Sequence, residues 1–330
     1  MRRYHVYGIG NALVDLQMRV SDEDFATIAT EKGTMRLVDF AEQEAMLERL
    51  KNYEIKWSSG GSVANSINAL AQLGAKGAFG GLVGDDAFGD FFAREMENFD
   101  IAFPNEAVEG KHTGTSAIVI TPDSERTMRT HLGAASTMTE EDVSEEIIAE
   151  SEWLFFEGYL FDQPGGQRAA QHAIELCKKH GTKIAITASE AFVIEHFGVP
   201  FRAAADQADL LFFNQKEAQQ YTGLQDEEAC FARLKELKRS FAMTRHSEGA
   251  WAFVNGQEVR VPAFEVNAID ATGAGDMFAG AFLYGLTQNL ELASTTTLAC
   301  FLASRVVSQV GARLEGNARS LAEKKGLLSA

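Results

Sequence analysis

From about residue 150 the chain alternates short apolar runs with helix-like segments, and this alternation constrains its fold more than any other feature. The apolar runs cover residues 153–156, 183–187, 210–213 and 241–244, and the clearest helical segment, 167–180, is closed by Gly181. Runs that are apolar on both sides belong to strands covered on both faces, which in a strand–helix alternation means parallel strands between two helix layers. The expected fold is therefore a doubly wound, mostly parallel α/β sheet. In such sheets ligands bind beyond the carboxyl ends of the strands. The residues there, Glu157, Ser189, Asn214 and Thr244, are all polar, which points to a site.

The N-terminal half departs from this pattern. Residues 5–9 read as a first strand ending in the turn Gly10-Asn11. Gly60-Gly61-Ser62 opens a helix whose apolar face is Val63, Ile67, Leu70 and Ala71, and Gly74 stops it. Residues 103–131 read as β-rich, with strands over 113–120 and 127–131 flanking the turn Pro122-Asp123-Ser124. Together with residues 16–38 this region is expected to form a small lid on the main sheet, within a single domain spanning 1–330. An uncovered lid edge would pair with a second copy; the helical segment 40–52 favours a covered lid and a monomer over a homodimer.

Charge narrows the partners. With 30 basic against 47 acidic residues, a formal charge of −17, nucleic acid and anionic membranes are poor partners. An anionic ligand would need a local cradle of backbone amides, metal ions or a few placed cations. Cys177, Cys230 and Cys300 form no CxxC pair and read as reduced thiols. No apolar run approaches the roughly 20 residues that span a bilayer, and the first residues lack a signal-peptide core, so a cytoplasmic protein is expected.

Such a cradle is written into residues 269–278, Ile-Asp-Ala-Thr-Gly-Ala-Gly-Asp-Met-Phe. Two glycines and an alanine allow close backbone approach, and residues 278–286 read as a helix, whose free N-terminal amides bind anions without any lysine. Asp276 falls in the first turn, where the helix dipole favours the ionised carboxylate that a general base requires. The plainer alternative is that Asp276 only complements the helix terminus. Common phosphate and hydrolase motifs are missing. Gly110-Lys111 is followed by His112, so there is no Walker A loop, and Leu13 stands where the third glycine of a dinucleotide fingerprint belongs. HExxH and GxSxG strings are absent as well.

These residues resemble the ribokinase (PfkB) family, most closely its adenosine kinase branch. The anchors are SSGGSVANSINALAQLGA from Ser58, Asn214-Gln215-Lys216-Glu217, and IDATGAGDMF from Ile269; order and spacing agree over essentially the whole chain. GNALVDL from Gly10, TGTSAIVI from Thr113, ITASEAFVIEHF from Ile186 and ADLLFFNQKEA from Ala208 favour the adenosine kinase branch. The resemblance implies a ribokinase-like fold with a β-rich lid, and an ATP-dependent kinase acting on a nucleoside or sugar hydroxyl. It makes Asp276 the base, the amides around Gly273, Ala274 and Gly275 the anion hole, and Arg126 a lid arginine that reaches the phosphates. Asn11 and Asp15 would grip the acceptor hydroxyls, with Leu13 beside them in the acceptor site and Gly60, Gly61 and Asn65 as the opposite wall. Asn214 and Glu217 match the motif that positions Mg2+ through water, although a polar helix start is their simpler role. Thr244, Gly249 and Thr272 match the nucleotide side, and Val307 to Gly311 a stretch that in many relatives lies near adenine and a monovalent cation such as K+.

The departures fall on the acceptor and nucleotide loops. Thr272 replaces the usual asparagine of adenosine kinases, His246 a glycine, Met128 and Thr130 smaller or apolar lid residues, and Tyr159 an aromatic partner for the base. Tyr159 and Met128 are suited to sandwich a purine. Phosphorylation of a nucleoside 5′-hydroxyl is the leading expectation, with a ribose- or fructose-type sugar kinase as its rival. A Rossmann-type oxidoreductase, or a nucleotide-binding regulator without turnover, are the alternatives from other classes.

Overall fold

The computed structural model describes residues 2–28, 31–123, 125–237 and 240–329, so Ser124 of the expected lid turn lies outside the described residues. In chain order the strands are β1 (Tyr4–Ile9), β2 (Leu13–Arg19), β3 (Met35–Leu37), β4 (Lys56–Gly60), β5 (Gly77–Gly80), β6 (Gly114–Ile120) and β7 (Arg126–His131). They continue with β8 (Ser151–Glu157), β9 (Lys183–Thr187), β10 (Leu210–Asn214), β11 (Phe241–Thr244), β12 (Ala250–Val254) and β13 (Gln257–Val261).

The main sheet has the order β13-β12-β11-β10-β9-β8-β1-β5. It is parallel from β5 to β11 and antiparallel only at β12 and β13. Its central strands alternate between two cores. Val6, Trp153, Phe155, Leu210 and Phe212 join the core under the helices Ser62–Gln72, Ala274–Thr287 and Leu292–Val306. Tyr7, Leu154, Phe156, Leu211 and Phe213 join the core under Pro164–His180 and its neighbours. Both faces are apolar, as the unbroken runs imply. Pro164–His180 begins earlier than its periodicity suggests because Pro164 takes the first helical turn, where its missing N–H costs nothing. No helix among the described residues is long and apolar enough to cross a membrane.

A second sheet, β3-β7-β6-β2-β4, stands over one end of the first. It includes β4, which lies outside the expected lid segments 16–38 and 103–131, whereas residues 103–113 add only an isolated bridge at Val108. Period-2 alternation divides its faces. Met18, Ala117 and Val119 pack with Met46 of the helix Phe40–Arg49. The opposite face, with Asp15, Ser116, Ile118, Met128 and Thr130, looks into a cleft above the main sheet.

Candidate active site

The cleft has a volume of about 510 Å³ and lies where the carboxyl ends of β8, β10 and β11 meet the second sheet. Its floor is the head of the helix Ala274–Thr287. Gly273 caps that helix with φ 76°, and a Cβ there would come within 2.0 Å of Ala312 O. Only glycine fits such a position. The Gly273 and Gly275 N–H groups have no protein partner among the described residues, while that of Ala274 is bonded to Ala271 O at 3.2 Å. A Cβ on Gly275 would meet nothing within 4 Å, so its backbone faces open space. Free amides, a helix dipole and room to approach make this an anion cradle in an acidic chain.

Asp276 sits in the first turn of the same helix and lines the cleft. Ser62 Oγ donates to its Oδ1 at 2.6 Å and Asn65 Nδ2 to its Oδ2 at 3.0 Å. Burial pushes its carboxyl up to about 6, while those two bonds and the nearby Arg313 cation pull the other way. A carboxylate poised near that value is ionised at neutral pH and still accepts a proton readily.

Opposite stands Asp15, on β2. Burial raises it to about 6 against the pull of Arg126 and Arg313, and its carboxylate takes no hydrogen bond from the protein among the described residues. The double glycine makes room for this wall. A Cβ on Gly60 would lie 2.6 Å from Asp15 Oδ1, and one on Gly61, at φ 95°, only 2.1 Å from Asn11 O. Glu157, at the end of β8 and fully buried, accepts from the Asn11 N–H at 2.9 Å and the Val63 N–H at 3.0 Å. It thereby ties the Asn11 turn to the uncapped start of the Ser62 helix.

The other end of the cleft holds Asn214 and Glu217. They form a reciprocal capping box, the Asn214 N–H donating to Glu217 Oε2 at 2.8 Å and the Glu217 N–H to Asn214 Oδ1 at 2.9 Å. This is the polar helix start, and both residues also line the cleft. Burial pushes the Glu217 carboxyl up to about 8. No group of three or more His, Cys, Asp or Glu able to hold a metal occurs among the described residues. A Mg2+ ion keeps several waters and leans on substrate phosphates, so Asn214 and Glu217 are the residues at this end of the cleft that would hold one through its waters.

Among the other expected site residues, Leu13, Met128, Tyr159, Thr244 and Thr272 line the cleft, and Gly60, Ala274, Arg126, Gly249, Val307 and Gly311 do not. Val307 O accepts from the Ile269 and Asp270 N–H groups, and the Gly311 N–H donates to Asp270 Oδ2 at 2.7 Å, so both act behind the glycine-rich loop. Gly249, at φ 99°, packs on Val261. Arg126 does not point freely into the cleft; its guanidinium is paired with Asp270. His246 keeps a positive φ of 50°. Gly8 and Ile9 lie in β1, and the glycines around Ile9 are closely packed: a Cβ on Gly8 would strike Val63 and Ile67 at 2.6 Å and one on Gly10 would strike Glu157 at 2.7 Å.

Several residues had been missed. Ser62 was detectable, because it and Asn65 are three apart on one helix and share a face. Asp270 lies inside the glycine-rich string, which does not show its partner, and Arg313 gives no local signal; each acts across a long sequence separation, and Arg313 lies 248 residues from Asn65.

Comparison with known proteins agrees with this geometry. The pfkB family of carbohydrate kinases matches residues 33–318. A 5-dehydro-2-deoxygluconokinase from Clostridium tetani is 26% identical over 287 residues, 81% of this chain and 84% of that protein. The crystal structure of a probable sugar kinase from Rhizobium etli superposes with a TM-score of 0.91 at 30% identity, covering 99% of this chain and 100% of the other. An adenosine kinase structure from Sinorhizobium meliloti gives 0.90 at 30% identity, covering 98% and 99%. Kinases of this family use ATP and Mg2+. A glycine-rich anion cradle with a carboxylate at its edge, on a matching fold and with a matching sequence, makes this chain a sugar or nucleoside kinase of the pfkB family.

Proposed function

We propose that the protein transfers a phosphoryl group from ATP to the 5′-hydroxyl of a nucleoside of the adenosine type, giving a nucleoside monophosphate and ADP. The observation that carries this reading is the wall beyond Asp15. Met35, Leu37, Ile118, Met128, Leu132, Tyr159 and Phe192 line the same cleft as Asp15 and give it an apolar slot beside a carboxylate. A base fits such a slot by stacking and burial, while Asp15 and Asn11 take the ribose hydroxyls. Free sugars have no group that uses the slot.

When bound, ATP supplies the transferred group and Mg2+ offsets its charge. Asp276 accepts the proton of the attacking hydroxyl, held for that task by Ser62 and Asn65. The Gly273 and Gly275 amides stabilise negative charge at the head of the helix. Closure of the second sheet over the cleft excludes water, the competing acceptor.

A sugar acceptor is the second reading. The Ser116 and Thr130 hydroxyls, 2.9 Å apart on the cleft face, offer polar partners to a sugar. ADP release measured with adenosine, other nucleosides, ribose, fructose and deoxy sugar acids separates the two. Turnover confined to the sugars ends the nucleoside reading.

A further inference from the structure

Arg313, in the loop after the helix Leu292–Val306, does not line the cleft, although its neighbour Ala312 does. Its Nε donates to Asn65 Oδ1 at 2.9 Å, and a terminal nitrogen donates to Ser59 Oγ. Asn65 in turn presents Nδ2 to Asp276. The two ends of a carboxamide are nearly the same size and opposite in hydrogen-bonding character. An oxygen turned toward Asp276 would repel its carboxylate, whereas the NH2 end attracts it. A guanidinium has only donors, so Arg313 accepts only one orientation of Asn65, the one that aims NH2 at Asp276.

We propose that Arg313 is a positioning residue, which acts through Asn65 to hold the Asp276 carboxylate in the orientation that receives the acceptor's proton. This rests on the reading of Asp276 as the base. Charge acts in the same direction. Burial lowers the Arg313 guanidinium to about 10, which leaves it cationic at neutral pH, with Glu95, Asp15 and Asp276 as the carboxylates around it. Asp276 itself is faced by Arg313, while its like charge bears on Asp15, Glu157 and the Tyr159 phenol. The charges of Arg126, on β7, and Asp270, in the glycine-rich loop, also bear on Asp15. Among these groups Arg313 is the cation that favours the ionised form of Asp276 directly.

The test is steady-state kinetics across pH on the full chain for Arg313→Met, Arg313→Lys and Asn65→Leu, with Asp276→Asn as reference. Arg313→Met is expected to lower kcat about 10²-fold, the scale of a misplaced catalytic group, and to change the acceptor KM less. It should also move the acid limb of kcat upward by roughly one pH unit, because a cation and an oriented donor are both lost. Arg313→Lys keeps the charge, so its acid limb should stay near that of the parent and part of kcat should return. Asn65→Leu cuts the relay while leaving Arg313 on Ser59, and keeps the proposal testable if Arg313→Met does not fold. It should reproduce both the lower kcat and the raised acid limb. A folded Arg313→Met with parental kcat and acid limb overturns the proposal, as does a fall in kcat that neither moves the limb nor recovers with lysine. An active Asp276→Asn removes the base reading instead, so the two failures are distinct.

Discussion

Arg126 of β7 and Asp270 of the glycine-rich loop form a buried ion pair that joins the sheet above the cleft to the anion cradle below it. The two side chains are 11% and 4% exposed. Asp270 also accepts from the Gly311 N–H at 2.7 Å and, through its other oxygen, from the Thr272 N–H at 3.0 Å. One carboxylate thus orders the loop that carries Gly273 and Gly275 while holding the arginine of the opposite wall. Arg126 Nε and a second terminal nitrogen are buried without a partner among the described residues. On the proposed reading, a polyphosphate that engages this guanidinium has to compete with Asp270 for it.

Removing that arginine should therefore affect stability and nucleotide use together. Arg126→Met leaves Asp270 with its two backbone donors but no counter-charge, and the expected loss is about 3 kcal/mol, the scale for breaking one side of a buried pair. Urea denaturation measures it. In the same variant kcat/KM should fall more with ATP varied than with the acceptor varied. An equal fall in both places Arg126 on the acceptor side.

The two glycines of the cradle should respond oppositely to alanine. Gly273→Ala forces a side chain into φ 76° and against Ala312 O, so it should cost stability and yield. Gly275→Ala meets nothing and lies inside the first helical turn, so stability should hold or rise by up to about 1 kcal/mol. Its methyl nevertheless enters the space over the free amides, and kcat should drop. Thermal melts and turnover of both variants check this; full activity in Gly275→Ala would remove the cradle from the mechanism.

Much of this was legible from local pattern. Unbroken apolar runs such as 210–213 could belong only to strands covered on both faces, and the string around Gly273 announced its helix and its free amides. What stayed hidden was held by distance in sequence. β4 was missed because Lys56, Trp57 and Ser58 carry no strand signal of their own, and they form a strand by pairing with β2. Asp270 looked like part of a motif until Arg126 arrived from 144 residues away. Arg313 reads as one more surface arginine in Gly-Ala-Arg-Leu. Glu157 reads as a polar strand end, but its two backbone partners come from a turn and from the start of a helix, far away in sequence.

On the proposed mechanism the carboxyls of Asp276 and Asp15, both pushed up to about 6 by burial, are expected to set the acid side of the pH profile. A base works ionised, so kcat should be level above pH 7 and fall as pH drops through about 6. Asp15 loses its charge over the same interval, and the acceptor KM should climb there. Rates measured from pH 5 to 9 check both, and a kcat that stays level down to pH 5 contradicts a base of this kind.

Glu157 supplies a prediction in which stability and pH are coupled. Its folded value of about 7 lies above the ordinary 4.5, because burial disfavours the carboxylate more than the Asn11 and Val63 N–H groups favour it. The folded state therefore binds the proton more tightly than the unfolded chain does. The resulting stabilisation is complete below about 4.5 and is lost as pH rises through about 7. Glu157→Gln removes this dependence. It also leaves one of the two backbone donors facing an NH2 group, at a cost of about 1–3 kcal/mol. The variant should thus be less stable than the parent at pH 5, and the gap should narrow toward pH 8 as the parent loses its proton-linked share. Urea denaturation at both pH values measures the gap. A gap of constant size would mean that Glu157 does not titrate in this range, and a variant as stable as the parent at pH 5 would mean that its two bonds do not hold the Asn11 turn to the Ser62 helix.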